Sequence, residues 1–318
     1  MAGAAIRFNA VYRAFPFAAP AGKTAAMSRP LWLITAPVIF LLLWSAGFGI
    51  AKLGLQHAPP LTLLAMRYVL VLVILLPLAA IVRPPMPGTL RAWADLAVVG
   101  FLIQVVYFGL CYVAFKSGTS AGAVAIVVCL QPILVALIAP RFVGEQFSAR
   151  GWAGLALGLG GATLVILSRG SVASEGVFGI TCAGLALLGI TGGTLWEKRF
   201  GVSHHPITAS LIQFAVGAAF CVPLAWSSEA FVVDWNWEFA AVLFYLVVAN
   251  SLLAMSLLLA MIRAGEVSRV SSLFYLVPPL SALFAWPLLG EVMPPLGWAG
   301  MALAAVGVAL VSRRPKAA

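Results

Sequence analysis

Apolar residues in this chain neither alternate nor recur at the three-to-four-residue spacing of a surface helix; they come in runs of about twenty, separated by short polar stretches. Twenty helical residues rise about 30 Å, the thickness of a bilayer's hydrocarbon core. Ten such runs can be marked, at roughly 33–52, 61–82, 93–115, 119–139 and 151–168, then 177–197, 207–226, 239–262, 268–289 and 295–312. In lipid a spanning segment must satisfy its own backbone hydrogen bonds, which for single runs of this length means helix. The pattern therefore predicts an all-α integral membrane protein with ten transmembrane helices.

The runs also repeat. The segment from Pro132 to Gly161 returns 146 residues later as Pro278 to Gly307, with fourteen of thirty positions identical and no gap. The same offset pairs Lys52 with Lys198, Pro60 with Pro206, Pro77 with Pro223 and Gln104 with Asn250, so the duplication extends through nearly the whole chain. Each copy holds five runs. Five is odd, so the second copy enters the membrane from the opposite side, giving two inverted five-helix repeats. The expected organisation is a disordered basic cytoplasmic tail over 1–30, a first repeat over 31–168, a polar linker over 169–176, a second repeat over 177–312 and a basic tail over 313–318. Met27 is an alternative start to Met1, because MSRPLWLITAP reads like the beginning of a multispan protein. A cleavable signal peptide is not evident.

Composition agrees: 63% of residues are hydrophobic and 9% charged, and the mean hydropathy is +1.08, against about 25% charged residues in a soluble domain. The net charge of +10 brings nucleic acid to mind, but its placement argues otherwise. With a cytoplasmic N-terminus, the inner segments carry fifteen of the nineteen basic residues, and only Lys52, Lys116 and Arg169 lie outside, with Arg67 inside a span. That positive-inside bias puts both termini in the cytoplasm; the expected location is a bacterial-type plasma (inner) membrane, with the lipid bilayer and no nucleic acid as partner.

Enzyme chemistry finds no foothold. His57, His204 and His205 fall in loops, and Cys111, Cys129, Cys182 and Cys221 sit in apolar runs without metal-binding spacing. No phosphate-cradling glycine loop is present, which argues against an ATP-driven pump, and no metal or cofactor is expected.

Several marks together resemble the drug/metabolite transporter (DMT) superfamily, EamA type, from about Leu33 to Ser312. They are Trp44 with Lys52, Pro60 and Arg67 across the first two runs, a proline in the fourth, then Gly144-Glu145 and a glycine-rich fifth run. The second copy carries Lys198, Pro206, Pro278, Gly290-Glu291 and Gly297 to Gly307. The resemblance implies a central cavity lined mainly by spans one, three, four, six, eight and nine, and export or exchange of small metabolites, amino acids and their derivatives among them. Gln213 opposite Arg67 and Gln131 before Pro132 depart from the pattern.

Polar residues far from the ends of apolar runs are the natural candidates for a pathway, because lipid leaves them no other partner. Gln104 and Asn250 are repeat mates near mid-run, and Tyr107 shares a helical face with Gln104 at a spacing of three. Trp44, Phe48 and Lys52 form a stripe on the first run. Arg67, two turns into the second, can clamp a carboxylate or phosphate in two-pronged fashion. Gln131 and Tyr275 stand beside Pro132 and Pro278, which are candidate hinges. The expected substrate-binding set is thus Trp44, Arg67, Gln104, Tyr107, Gln131, Asn250 and Tyr275, with Glu145 and Glu291 anchoring equivalent turns. The small residues Gly154, Gly158, Gly300 and Ala304 are expected to serve helix packing within one chain, in a monomer or a homodimer. With no carboxylate near mid-span, the expected cargo is a neutral, zwitterionic or anionic metabolite, exported by alternating access between the repeats. Drug efflux, and a membrane sensor or assembly partner that transports nothing, are the alternatives.

Overall fold

The computed structural model describes residues 31–312 apart from 120–123, 125–126, 146–147, 169–175, 202–203, 230, 265–266 and 290–293. Both expected tails, nearly all of the linker and the Glu291 turn lie outside the described residues. Within them all regular structure is helical. The first copy gives α1 (Leu31–His57), α2 (Pro60–Val82), α3 (Leu90–Lys116), α4 (Gln131–Phe142) and α5 (Ala149–Ser168). The second gives α6 (Val177–Gly201), α7 (Pro206–Ser228), α8 (Trp237–Ala264), α9 and α10 (Pro295–Ser312), where α9 comprises Val267–Ser272, a 3-10 turn at Leu273–Leu276 and Val277–Leu289.

Six of these helices, α1, α2, α3, α6, α7 and α8, are long and apolar enough to cross a membrane. The described part of the fourth apolar run is not one continuous helix. It turns at Cys129–Leu130 and restarts at Gln131, with Pro132 in the first helical turn, and Pro278 likewise stands second in the Val277–Leu289 segment after the 3-10 turn. Proline has no N–H to donate and is tolerated where a helix begins, so each repeat mate starts a fresh segment.

The bundle packs in mate pairs. α2 lies against its own mate α7 and α5 against α10, while the pairings of α1 with α8 and α9 are matched by those of α6 with α3 and α4. The small-residue stripes meet within the chain, as expected. A Cβ on Gly161 would stand 2.3 Å from the backbone nitrogen of Ala304, and one on Gly307 would stand 2.4 Å from that of Gly158. Only residues without bulk let two helix backbones approach so closely.

Polarity is inverted relative to a soluble protein. Val73, Leu188 and Phe220 are among many large apolar side chains on the outside, whereas Arg67, Gln104, Gln131, Glu197, Gln213 and Asn250 are each at most 4% exposed. A surface of that kind is stable in lipid.

Candidate functional site

The polar residues are placed by irregularities in two helices. α3 loosens into a π-helical turn over Phe101–Tyr107 and α8 does so over Leu246–Ala254. Gln104 and Asn250 fall within these turns, so the duplicated amide sits on a duplicated defect. Such i→i+5 turns release carbonyls from the regular ladder and recur at functional sites. Here the Gln104 carbonyl accepts a 2.7 Å hydrogen bond from the Tyr68 hydroxyl of α2.

Arg67 is the centre of the arrangement. Its guanidinium donates from Nε to Ser251 Oγ (2.6 Å), from Nη2 to Asn250 Oδ1 (2.7 Å) and from Nη1 to the Tyr112 hydroxyl (3.3 Å). Its carbon lies 4.5 Å from the Phe108 ring centroid. The side chain is fully buried, and among the described residues it forms no ion pair. An arginine deep in a membrane helix costs about 2.5–3.5 kcal/mol on the lenient insertion scale. Interhelical hydrogen bonds return about 0.6 kcal/mol each on average. Three neutral acceptors therefore leave the charge incompletely compensated, and an anion would gain by joining them.

Next to this cation a narrow cleft of about 20 Å³, room for about one water, runs between α1 and α3. It is lined by Trp44, Gly47, Phe48 and Ala51 on one side, by Tyr107, Phe108, Cys111, Tyr112 and Phe115 on the other, and by Asn250 of α8. Gly47 is what lets Asn250 in, since a Cβ there would stand 2.3 Å from the amide nitrogen. Trp44 stacks on Tyr107 with ring centroids 6.4 Å apart and planes 10° from parallel. A larger open groove of about 540 Å³ lies elsewhere, along α5, with Ile133 and Leu303 among its walls. It offers too little polarity to orient a polar ligand.

Of the seven residues expected to bind cargo, Trp44, Arg67, Tyr107 and Asn250 are gathered at this cleft and three are not. Gln104 faces α7, where a Cβ on Gly217 would lie 2.9 Å from its own Cβ, and neither end of its amide has a partner among the described residues. α-Helical pitch would place Gln104 on the face of Tyr107, but the π turn over Phe101–Tyr107 changes that pitch. Gln131 donates to Thr194 of α6 at 3.4 Å, and Tyr275 packs its ring on Gly158 of α5. Lys52 is exposed at the edge. Glu145 reaches the second copy: its Oε1 accepts from the backbone of Val267 (2.7 Å), at the start of α9, while α5 has Ser148 Oγ accepting from Gly151. In the same way Glu229 accepts from the backbone N–H groups of Leu61 and Thr62 and caps α2.

Sequence reasoning missed Tyr68, Phe108, Tyr112 and Ser251 around Arg67, and a second polar knot at the far end of the bundle. Glu197 is fully buried in a π turn at the C-terminal end of α6. Its Oε1 lies 2.6 Å from both Nε and Nη2 of Arg263 on α8, and its Oε2 accepts from Gln213 Nε2 of α7 at 3.3 Å. Arg263 also donates to the His204 carbonyl (2.8 Å). Burial, and then the Arg263 charge, hold the neighbouring His205 below the usual histidine range, and its Nδ1 accepts from the Ile207 backbone to cap α7. That Glu197 adjoins Lys198 was legible; that Arg263, 66 residues on, returns to it was not.

The profile of the EamA-like transporter family matches residues 30–167 and 177–313. The chain is 24% identical to the uncharacterized transporter YvbV of Bacillus subtilis, over 87% of this chain and 90% of that one, and 22% identical to the uncharacterized inner membrane transporter YedA of Escherichia coli K12, over 85% and 87%. A Salmonella typhimurium protein named a probable amino-acid metabolite efflux pump is 26% identical over 85% of this chain and 91% of its own length. A solved crystal structure superposes with a TM-score of 0.74 at 19% identity, covering 90% of this chain and 98% of that one, a likeness that concerns the fold alone.

Proposed function

The chain belongs to the EamA-like transporter family and is a multi-pass integral membrane protein; from that premise we propose that it is a secondary transporter or facilitator exporting small, amino-acid-like metabolites across a bacterial-type inner membrane. Ten spans in two inverted repeats, over 31–168 and 177–312, with both termini in the cytoplasm, form the framework of this reading. Two copies of one fold facing opposite ways can exchange conformations and so present the site to either side. The broken helices at Pro132 and Pro278 are the places where spans four and nine bend.

One observation carries the substrate side: Arg67 is buried with only neutral partners among the described residues, at the wall of an aromatic cleft. A carboxylate arriving there exchanges weak acceptors for a charge-assisted, two-pronged pair. The name of the Salmonella relative points the same way. A cleft of about 20 Å³ is too small for such cargo, so binding requires α1 and α3 to part. Lipophilic cations are disfavoured, because the one buried carboxylate described in the bundle, Glu197, is already neutralised by Arg263.

The test is uptake into proteoliposomes, using a panel of labelled amino acids and related carboxylates, with and without a pH gradient. Saturable flux above empty vesicles is expected, and the gradient reveals the coupling. Folded protein that moves none of the panel, or that moves an ethidium-like cation faster, would overturn the reading.

A further inference from the structure

The duplication predicts a second cleft. Subtracting or adding the 146-residue offset carries the cleft wall Gly47, Ala51, Tyr112, Phe115 and Asn250 onto Gly193, Glu197, Leu258, Met261 and Gln104. These mates define an equivalent space between α6 and α8, at the opposite end of the bundle. The ends are distinguished by contacts: Gly179 near the start of α6 packs on Thr119 just beyond α3, whereas Trp196 near its finish donates to Asp95 at the beginning of α3 (3.2 Å). At this second position the lining is buried, with Glu197, Gln104, Leu258 and Met261 each at most 5% exposed. Glu197, the mate of cleft-lining Ala51, reaches across to Arg263 and holds α6 to α8, with Gln213 of α7 as a third arm.

We propose that the Glu197–Arg263–Gln213 cluster is the latch that keeps this second cleft shut, and that it must part for the protein to open at that end. Three features separate a latch from general helix glue. The repeat mates of Glu197 and Arg263 are Ala51 and Ser117, which form no such bond, so the fold does not need the tie at both ends. The carboxylate sits on a π turn, where the helix is already loosened. And the release has a ready acceptor. Gln104 and Gln213 are the mates of Asn250 and Arg67, which are bonded to one another at 2.7 Å. Both ends of the Gln104 amide and the Gln213 Oε1 are buried without a partner among the described residues. When the halves exchange conformations, Gln213 leaves Glu197 for Gln104, as Arg67 leaves Asn250.

This inference rests on alternating access, but its test needs no substrate, so it can fail independently of the metabolite proposed above. Met261 is 5% exposed and is the mate of cleft-lining Phe115, so Met261→Cys places a thiol inside the shut space. Labelling of purified protein in detergent by a bulky polar maleimide is followed, with the chain carrying only its native cysteines as background. Slow labelling is expected with the latch intact. Glu197→Gln or Arg263→Gln should raise the rate about tenfold, and the charge-swapped pair Glu197→Arg with Arg263→Glu should return it toward the starting value. Gln213→Ala should raise it severalfold. Rates unchanged in monodisperse single variants would overturn the proposal. If the charge variants do not purify, Gln213→Ala decides alone: faster labelling supports the latch and unchanged labelling overturns it.

Discussion

The two halves place their charges in opposite ways on one scaffold. In the first, position 67 is an arginine surrounded by Ser251, Asn250 and Tyr112, all neutral. In the second, the equivalent position is Gln213, and the nearby charge is a carboxylate already matched by an arginine. Duplication explains why both halves have a π turn with an amide, a proline restart and a glycine seam. It does not explain the charges, which have diverged. An unmatched charge is available to a ligand, whereas a matched pair mainly holds helices together, so in the proposed reading the symmetry supplies two equivalent positions and the asymmetry gives them different tasks.

The sharpest way to break this comparison is to move the cation. Arg67→Gln should reduce transport about 100-fold, a loss of about 2.8 kcal/mol at 1.4 kcal/mol per factor of ten. Adding Gln213→Arg should not restore it, because a guanidinium there meets Glu197 and is neutralised. Flux in proteoliposomes reads both variants, and recovery in the double variant would show the halves to be interchangeable. Arg67→Lys should keep only a small part of the activity, since an ammonium lacks the planar fork that grips a carboxylate.

A smaller effect should separate the two amides. Asn250 lines the cleft and accepts from Arg67, so Asn250→Ala should raise KM about tenfold. Gln104 touches neither, so Gln104→Ala should leave KM near its original value and lower the maximal rate severalfold by removing Gln213's alternative partner. Equal changes in KM for both would mean that the two positions contact cargo alike.

How much of this was legible depended on the range of the interaction. The apolar runs mark the helices because lipid rewards an unbroken stretch, and the 146-residue echo of Gly151-Trp152-Ala153-Gly154 in Gly297-Trp298-Ala299-Gly300 marks the α5–α10 seam because close backbone packing admits few residue types. Arg67 and Asn250 stood out singly for the cost of burying them. Their bond, across 183 positions, is set by tertiary packing and leaves no local trace. Gln104 lies in a π turn and packs against α7 rather than at the cleft, and no residue in FLIQVVY announces that turn. Glu197 lies near the end of its run, where a charge is normally excused as solvated, yet the return of α8 buries it.

The smallest expected effect concerns how the halves are tied rather than how they differ. Glu229 of the second half caps α2 of the first, accepting from Leu61 N (3.1 Å) and Thr62 N (2.7 Å), and Glu145 of the first caps α9 of the second. Both bonds satisfy N–H groups that have no partner within their own helix, and both put negative charge at the positive end of a helix dipole. Substitution at either should cost about 1 kcal/mol, the usual value of an N-cap, or roughly 1.5 °C of melting temperature in a chain of this size. Glu229→Ala and Glu145→Ala, melted in detergent, measure this. Because each carboxylate reaches across the repeat boundary, the double variant should lose the sum of the two and leave the labelling rate of Met261→Cys unchanged. A rate that rose with the loss of these caps would mean that the caps, along with the Glu197–Arg263 pair, hold the second cleft closed.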